Sequence, residues 1–232
     1  MKKLVKIGAA LAAIVIAVCG CSKSYDHIAG YDVVSKAKQL YASLNSAHVK
    51  IKDNNANLIT QDFLYKYNGD TLVYCYIGTD GEKTYYEYNN GSELNYTDST
   101  MTQWNFYDMS APEFYSYSRS QPHPMASQTA ISINADSIVD GGVADNPDGS
   151  KLITYHYDAA QLNSYASSLS TVGTLVEFTT TLCINPDGYC TELSQLAILE
   201  VDGKQTSVDY TMTIDEMNKV EKVELPKACW EK

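Results

Sequence analysis

The chain has 232 residues, 17 of them basic and 28 acidic, with a formal charge of −11. Such a balance offers no basic footprint for nucleic acid, and its own charge does not draw it to an anionic membrane. A chain of this length can build one domain with a sizeable core.

Lys2, Lys3 and Lys6 open the sequence, and no acidic residue precedes Asp26. Ile7 to Val18 is almost wholly Ala, Val, Ile and Leu, shorter than the roughly 20 apolar residues of a spanning helix. A basic start, a short apolar run and small residues after it mark a secretory signal. Val18-Cys19-Gly20-Cys21 resembles the lipobox of bacterial lipoproteins. The resemblance implies cleavage between Gly20 and Cys21 and a thioether-linked diacylglycerol on Cys21, whose two acyl chains give stable membrane anchoring. An unlipidated signal peptide or an uncleaved anchor are the other readings, and Cys19 is disfavoured because Val18 precedes it. Ser22, in place of Asp, points to the outer membrane if the cell has two. Otherwise the address is the outer leaflet of the plasma membrane.

Removing residues 1–20 takes away three lysines and no acid, leaving 14 basic against 28 acidic residues. The expected division is a signal peptide at 1–20, the lipidated cysteine and a short linker at 21–30, and one domain at 31–232.

From Asp32 to Leu44 the apolar residues Val33, Val34, Ala37, Leu40, Tyr41 and Leu44 recur at helical spacing. After Asn45 the period changes to two. Runs at Val49–Ile51, Phe63–Tyr67, Leu72–Ile77, Thr84–Tyr88 and Ser92–Tyr96 are separated by Asn68-Gly69, Asp80-Gly81 and Asn90-Gly91. Those pairs suit tight hairpin turns, so five antiparallel strands are expected. Leu72 to Ile77 is apolar or aromatic at every position, as an inner strand requires.

The middle, Thr97 to Asp148, is expected to be irregular. Ser110, Pro112 and Glu113 predict a short helix to about Tyr117. Gln121-Pro122-His123-Pro124 predicts an extended loop, and Gly141-Gly142 and Asn146-Pro147-Asp148-Gly149 predict turns. Leu152–Tyr157 reads as a strand. Asp158 with Gln161 resembles a capping box for a helix through Leu162, Tyr165, Ala166 and Leu169. Strands at Thr174–Ile184, Gly188–Val201 and Gln205–Ile214 follow, with Val220–Leu225 as a final edge.

This order is similar to that of the LolA-like group of exported lipoproteins and carriers. The residues that carry the resemblance are the helix Val33–Leu44 running into Ser46-Ala47-His48-Val49-Lys50-Ile51, and the turn Pro186-Asp187-Gly188 with its two strands. Met217-Asn218-Lys219-Val220 leading to Leu225-Pro226 completes it. The fold expected is α+β: a curved antiparallel sheet, half-open like a barrel, with one N-terminal helix and one or two short helices packed on it. The resemblance implies a lipid or other amphiphile as ligand.

No Gly-x-Ser-x-Gly elbow and no His-Glu-x-x-His helix occurs, and the four histidines are scattered. No enzyme, cofactor or metal site is therefore expected. Asp140, Asp145, Asn146 and Asp148 do not have calcium-loop spacing. Outside the cytoplasm disulfides are allowed, and Cys183 and Cys190 flank one turn. If Pro186-Asp187-Gly188 forms a three-residue loop, however, Cys190 faces Ile184, Cys183 faces Thr191, and the sulfurs lie on opposite sheet faces. That bridge stays open. The 19 tyrosines are the unusual feature. Tyr65, Tyr67, Tyr74, Tyr76, Tyr86 and Tyr88 fall on adjacent strands, either as half-buried sheet residues or as a binding face for a lipid, an envelope protein or a cell-wall glycan.

Overall fold

The computed structural model describes residues 24–97, 104–108, 118–165 and 173–225. Gly20, Cys21 and the short helix expected from Ser110 to Tyr117 lie outside the described residues. Helix α1 spans Tyr31–Ala42, followed by β1 (Ser46–Asp53), β2 (Leu58–Asn68), β3 (Thr71–Thr79), β4 (Thr84–Asn89), β5 (Glu93–Thr97) and β6 (Trp104–Asp108). Three single 3-10 turns, at Pro124–Ala126, Gln128–Ala130 and Ala135–Ser137, precede β7 (Ile138–Asp145) and β8 (Lys151–Tyr157). Helix α2 (Ala159–Tyr165), β9 (Thr174–Ile184), β10 (Cys190–Val201) and β11 (Lys204–Asp215) complete the order.

The fold is α+β, an open sheet with few short helices. Its strand order is β6-β5-β4-β3-β2-β1-β11-β10-β9-β8-β7. The ladders from β2 to β6 and from β7 to β10 are antiparallel. The described residues group into two compact units, one containing 24–40, 53–56 and 131–211, the other 41–52, 57–130 and 212–225.

In the first unit, α1 buries Val34 and Ala37, the start of the stripe read from the sequence. The buried residues of β8 and β9 alternate: Ile153, Tyr155 and Tyr157 on one strand, Phe178, Thr180, Leu182 and Ile184 on the other. The Tyr155 hydroxyl donates to the Ala29 carbonyl at 3.0 Å, tying the segment before α1 to β8. Asp158 caps α2 by accepting from the Gln161 N–H at 3.0 Å, as the box predicts. Asn163 pins α2 to β9 by exchanging two hydrogen bonds with the Leu175 backbone, at 2.8 and 3.0 Å. The β10–β11 hairpin turns at Asp202 and Gly203, both at positive φ (53° and 72°). That geometry matches the strand twist and favours Asp-Gly.

In the second unit, β3 carries four consecutive buried residues, Leu72, Val73, Tyr74 and Cys75. It lies between β2 and β4 and is covered on both faces. One cover is the segment after β11, where Val220 and Val223 pack with Val73 and Cys75.

Three expectations change. Gly141 and Gly142 lie within β7, opposite Tyr155 and Thr154, and do not form a turn. A Cβ at Gly141 would stand 2.7 Å from the Tyr155 ring, so glycine there admits a large aromatic neighbour. Strand β6 was hidden in the middle region read as irregular. Val220–Leu225 is not a strand. Its backbone is held by side chains instead: the Val220 N–H donates to Ser46 Oγ (3.2 Å) and Lys66 Nζ donates to the Glu221 carbonyl (2.9 Å).

Candidate functional site

Register decides which tyrosines share a face. Tyr65 lies directly opposite Tyr74, Phe63 opposite Tyr76, and Tyr76 opposite Glu87. Glu87 in turn is opposite Tyr96, and Gly78 opposite Tyr85. Phe63, Tyr65, Tyr67, Tyr74, Tyr76, Tyr85, Glu87 and Tyr96 therefore belong to one face of the second unit. Tyr86 and Tyr88 pair with Ile77 and Cys75 and belong to the other. The six tyrosines singled out from sequence do not form one surface. Adjacent strands place them near each other, but each one-residue offset in register sends a side chain to the opposite face.

The shared face has a dry end and a half-exposed end. At the dry end Phe63, Tyr65 and Tyr74 are fully buried. The His123 ring stacks on Phe63 at 4.6 Å and 18°, and lies 5.2 Å from the Tyr74 ring. Its Nδ1 accepts the Met125 N–H at 3.2 Å, and Pro124 begins the 3-10 turn beside it. The proline loop thus serves as a lid on the aromatic core. Burial alone pushes the imidazole down to about 4. Tyr41 donates its hydroxyl to the Met125 carbonyl. Burial, opposed in part by that neighbouring Tyr41 hydroxyl, raises the Tyr65 phenol above its usual range. Tyr67 carries the Arg119 guanidinium 4.3 Å from its ring centroid, a structural cation–π contact.

At the other end Tyr76, Tyr85, Glu87 and Tyr96 are half-buried. The Glu87 carboxylate accepts from the Tyr74 hydroxyl through Oε1 and from the Tyr85 hydroxyl through Oε2, at 2.8 Å for the latter. The Tyr76 and Tyr85 rings are 6.2 Å apart, and burial followed by the Glu87 charge raises both phenols. A carboxylate offers about four acceptor sites, so two remain for a further donor. Half-exposed ring faces around a fixed acceptor are equipped to hold an apolar body and a polar head. Tyr85, Glu87 and Tyr96 were missed from sequence because only cross-strand register brings them to Tyr76.

The remaining candidates have local roles. Cys183 and Cys190 are free thiols. Cys190 does face Ile184, while a bulge moves Cys183 opposite Glu192. Cys190 is buried, donates its thiol to the Glu192 carbonyl at 3.2 Å, and is pushed up to about 12 by burial. The bridge left open by the sequence is not formed. Asp145 pairs with Lys151 at 2.5 Å, and Asp148 accepts the Ser150 N–H at 3.0 Å, so both serve their own turn. His156 is exposed on β8, 3.1 Å from Thr179 Oγ1. In the first unit a depression of about 180 Å³ is lined by Asp53, Asn55, Ala56, Ser207, Val208 and Tyr210, below the roughly 300–1,000 Å³ of a small-molecule site.

No family model matches the chain, and no curated protein is significantly similar to it. Among solved structures, LprF from Mycobacterium bovis is similar over 84% of this chain and 95% of its own, at 11% identity and a TM-score of 0.44. The LolA superfamily protein NE2245 from Nitrosomonas europaea is similar over 88% and 97%, at 10% identity and a TM-score of 0.26. At those values neither likeness carries a ligand, a partner or a residue's role over to this chain.

Proposed function

We propose that the mature protein is an extracytoplasmic lipoprotein, held to a membrane by a diacylglycerol on Cys21, that binds a lipid or other amphiphile without chemical conversion. The observation that carries the binding half is the arrangement of Tyr76, Tyr85 and Tyr96 around Glu87, with half-exposed rings and a carboxylate that keeps free acceptor capacity. The anchor rests on the sequence Val18-Cys19-Gly20-Cys21 behind its apolar run. A headgroup with hydroxyl or ammonium donors would meet Glu87, while its apolar part would lie on the rings.

Full-length protein in mild detergent, titrated with a fluorescent lysophospholipid below its micelle concentration, tests the reading. Tyr85→Ala with Tyr96→Ala should weaken binding at least tenfold, since each ring lost removes about 1 kcal/mol of contact or more. Tyr86→Ala on the opposite face should leave it unchanged. Equal loss from either face rejects the site. The same rings and carboxylate also suit the C–H faces and hydroxyls of a glycan. Soluble cell-wall fragments that displace the probe, with no lipid retained by the protein, would favour that second reading.

A further inference from the structure

The second unit holds a cluster that the aromatic face does not use. His48 on β1 has its Nε2 2.6 Å from Asp62 Oδ1 on β2. Its Nδ1 lies 3.4 Å from Asp215 Oδ1 at the end of β11. Glu216 is next in the chain, and one ligand atom from each of His48, Asp215 and Glu216 lies within 4.8 Å of the other two. The geometry points to a divalent-cation site of the zinc class, with His48 Nδ1, Asp215 and Glu216 as ligands and Asp62 as the residue that orients the imidazole.

With an ion on Nδ1, the ring proton would sit on Nε2 and donate to Asp62 Oδ1, 2.6 Å away. Nδ1 then faces the Asp215 and Glu216 carboxylates. A carboxylate on the far nitrogen is the arrangement that fixes the tautomer of a metal-binding histidine and raises its basicity. Spacing fits as well, because tetrahedral ligands about 2.1 Å from an ion are about 3.4 Å apart. Asp215 already has that separation from Nδ1, and a carboxylate oxygen of the exposed Glu216 lies within 4.8 Å of both.

One imidazole with two carboxylates suits zinc better than calcium or magnesium, which take oxygen ligands. Lys50 Nζ, 3.5 Å from Asp215 Oδ2, leaves Oδ1 to the ion and limits affinity by its charge. The His48 side chain is 19% exposed and Asp215 52%, so the ion would enter from solvent and complete its shell with water.

The test titrates full-length protein in detergent with zinc chloride against a chelating indicator, alongside His48→Gln, Asp62→Asn and the double variant Asp215→Asn/Glu216→Gln. One zinc per chain is expected, with affinity reduced more than tenfold by His48→Gln and by the double variant. Asp62→Asn, which keeps all three ligands, should cost about 10–100-fold. Zinc-edge absorption should show nitrogen and oxygen neighbours only. No saturable binding by the wild type, equal affinity in His48→Gln, or sulfur in the zinc shell would each overturn the assignment. Far-UV circular dichroism identifies any variant that fails to fold, and metal-induced thermal stabilisation of the wild type alone gives an independent readout.

Discussion

Protonation of His123 should make the fold acid-sensitive. Its ring is stacked on Phe63, its Nδ1 accepts the Met125 N–H, and burial lowers it to about 4. In the unfolded chain the same imidazole titrates near 6.5. Between those values the unfolded state binds a proton that the folded state refuses, so stability is full above about 6.5 and falls as pH drops toward 4. At about 1.4 kcal/mol per pH unit, the interval of roughly 2.5 units amounts to about 3 kcal/mol. The comparison is with His123→Phe, which keeps a flat ring against Phe63 and Tyr74 and cannot titrate. Urea unfolding of both proteins at pH 7.5, 6.5, 5.5 and 4.5 isolates the residue, because all other carboxylates and histidines cancel in the difference. The wild type should lose stability relative to the variant by up to one proton's slope below pH 6.5, and the two should run parallel above it. Parallel curves throughout would refute the reasoning, since they would mean that His123 takes up its proton in the folded state.

Other perturbations separate neighbouring residues. Gly141→Ala should destabilise by about 1–3 kcal/mol in chemical denaturation, because its Cβ would press on the Tyr155 ring, whereas Gly142→Ala meets nothing within 4 Å and should be near neutral. Asp158→Ala removes the cap on the Gln161 N–H and should cost about 1 kcal/mol by the same assay. Cys21→Ala should move the protein from the membrane to the soluble fraction and abolish a diacylglycerol mass increment on the N-terminal peptide. Persistence in the membrane would argue for an uncleaved anchor.

Elements whose determinants are local were legible in the sequence. The α1 stripe, the Asn-Gly and Asp-Gly hairpins, the buried run of β3 and the Asp158 cap each depend on residues within a few positions of one another. What escaped depended on partners far along the chain. Gly141-Gly142 looked like a turn because the Tyr155 ring that requires a glycine is on the next strand. Val220–Leu225 looked like a strand because its apolar residues also suit a cover over Val73 and Cys75. The six tyrosines were correctly assigned to strands, yet their faces depend on register, which joined Tyr76 to Tyr85, Glu87 and Tyr96 and removed Tyr86 and Tyr88. His48 and Asp215 are separated by most of the chain, so no spacing rule would pair them.

The claim that this chain holds an amphiphile on the Tyr76–Tyr85–Glu87–Tyr96 face is tested most directly by native mass spectrometry of protein extracted from membranes without denaturation. The account predicts a non-covalent lipid mass on the wild type, beyond the covalent increment at Cys21, and its loss in Tyr85→Ala/Tyr96→Ala with the covalent increment retained. A wild type that carries the Cys21 increment and no second mass, in repeated mild extractions, would contradict it.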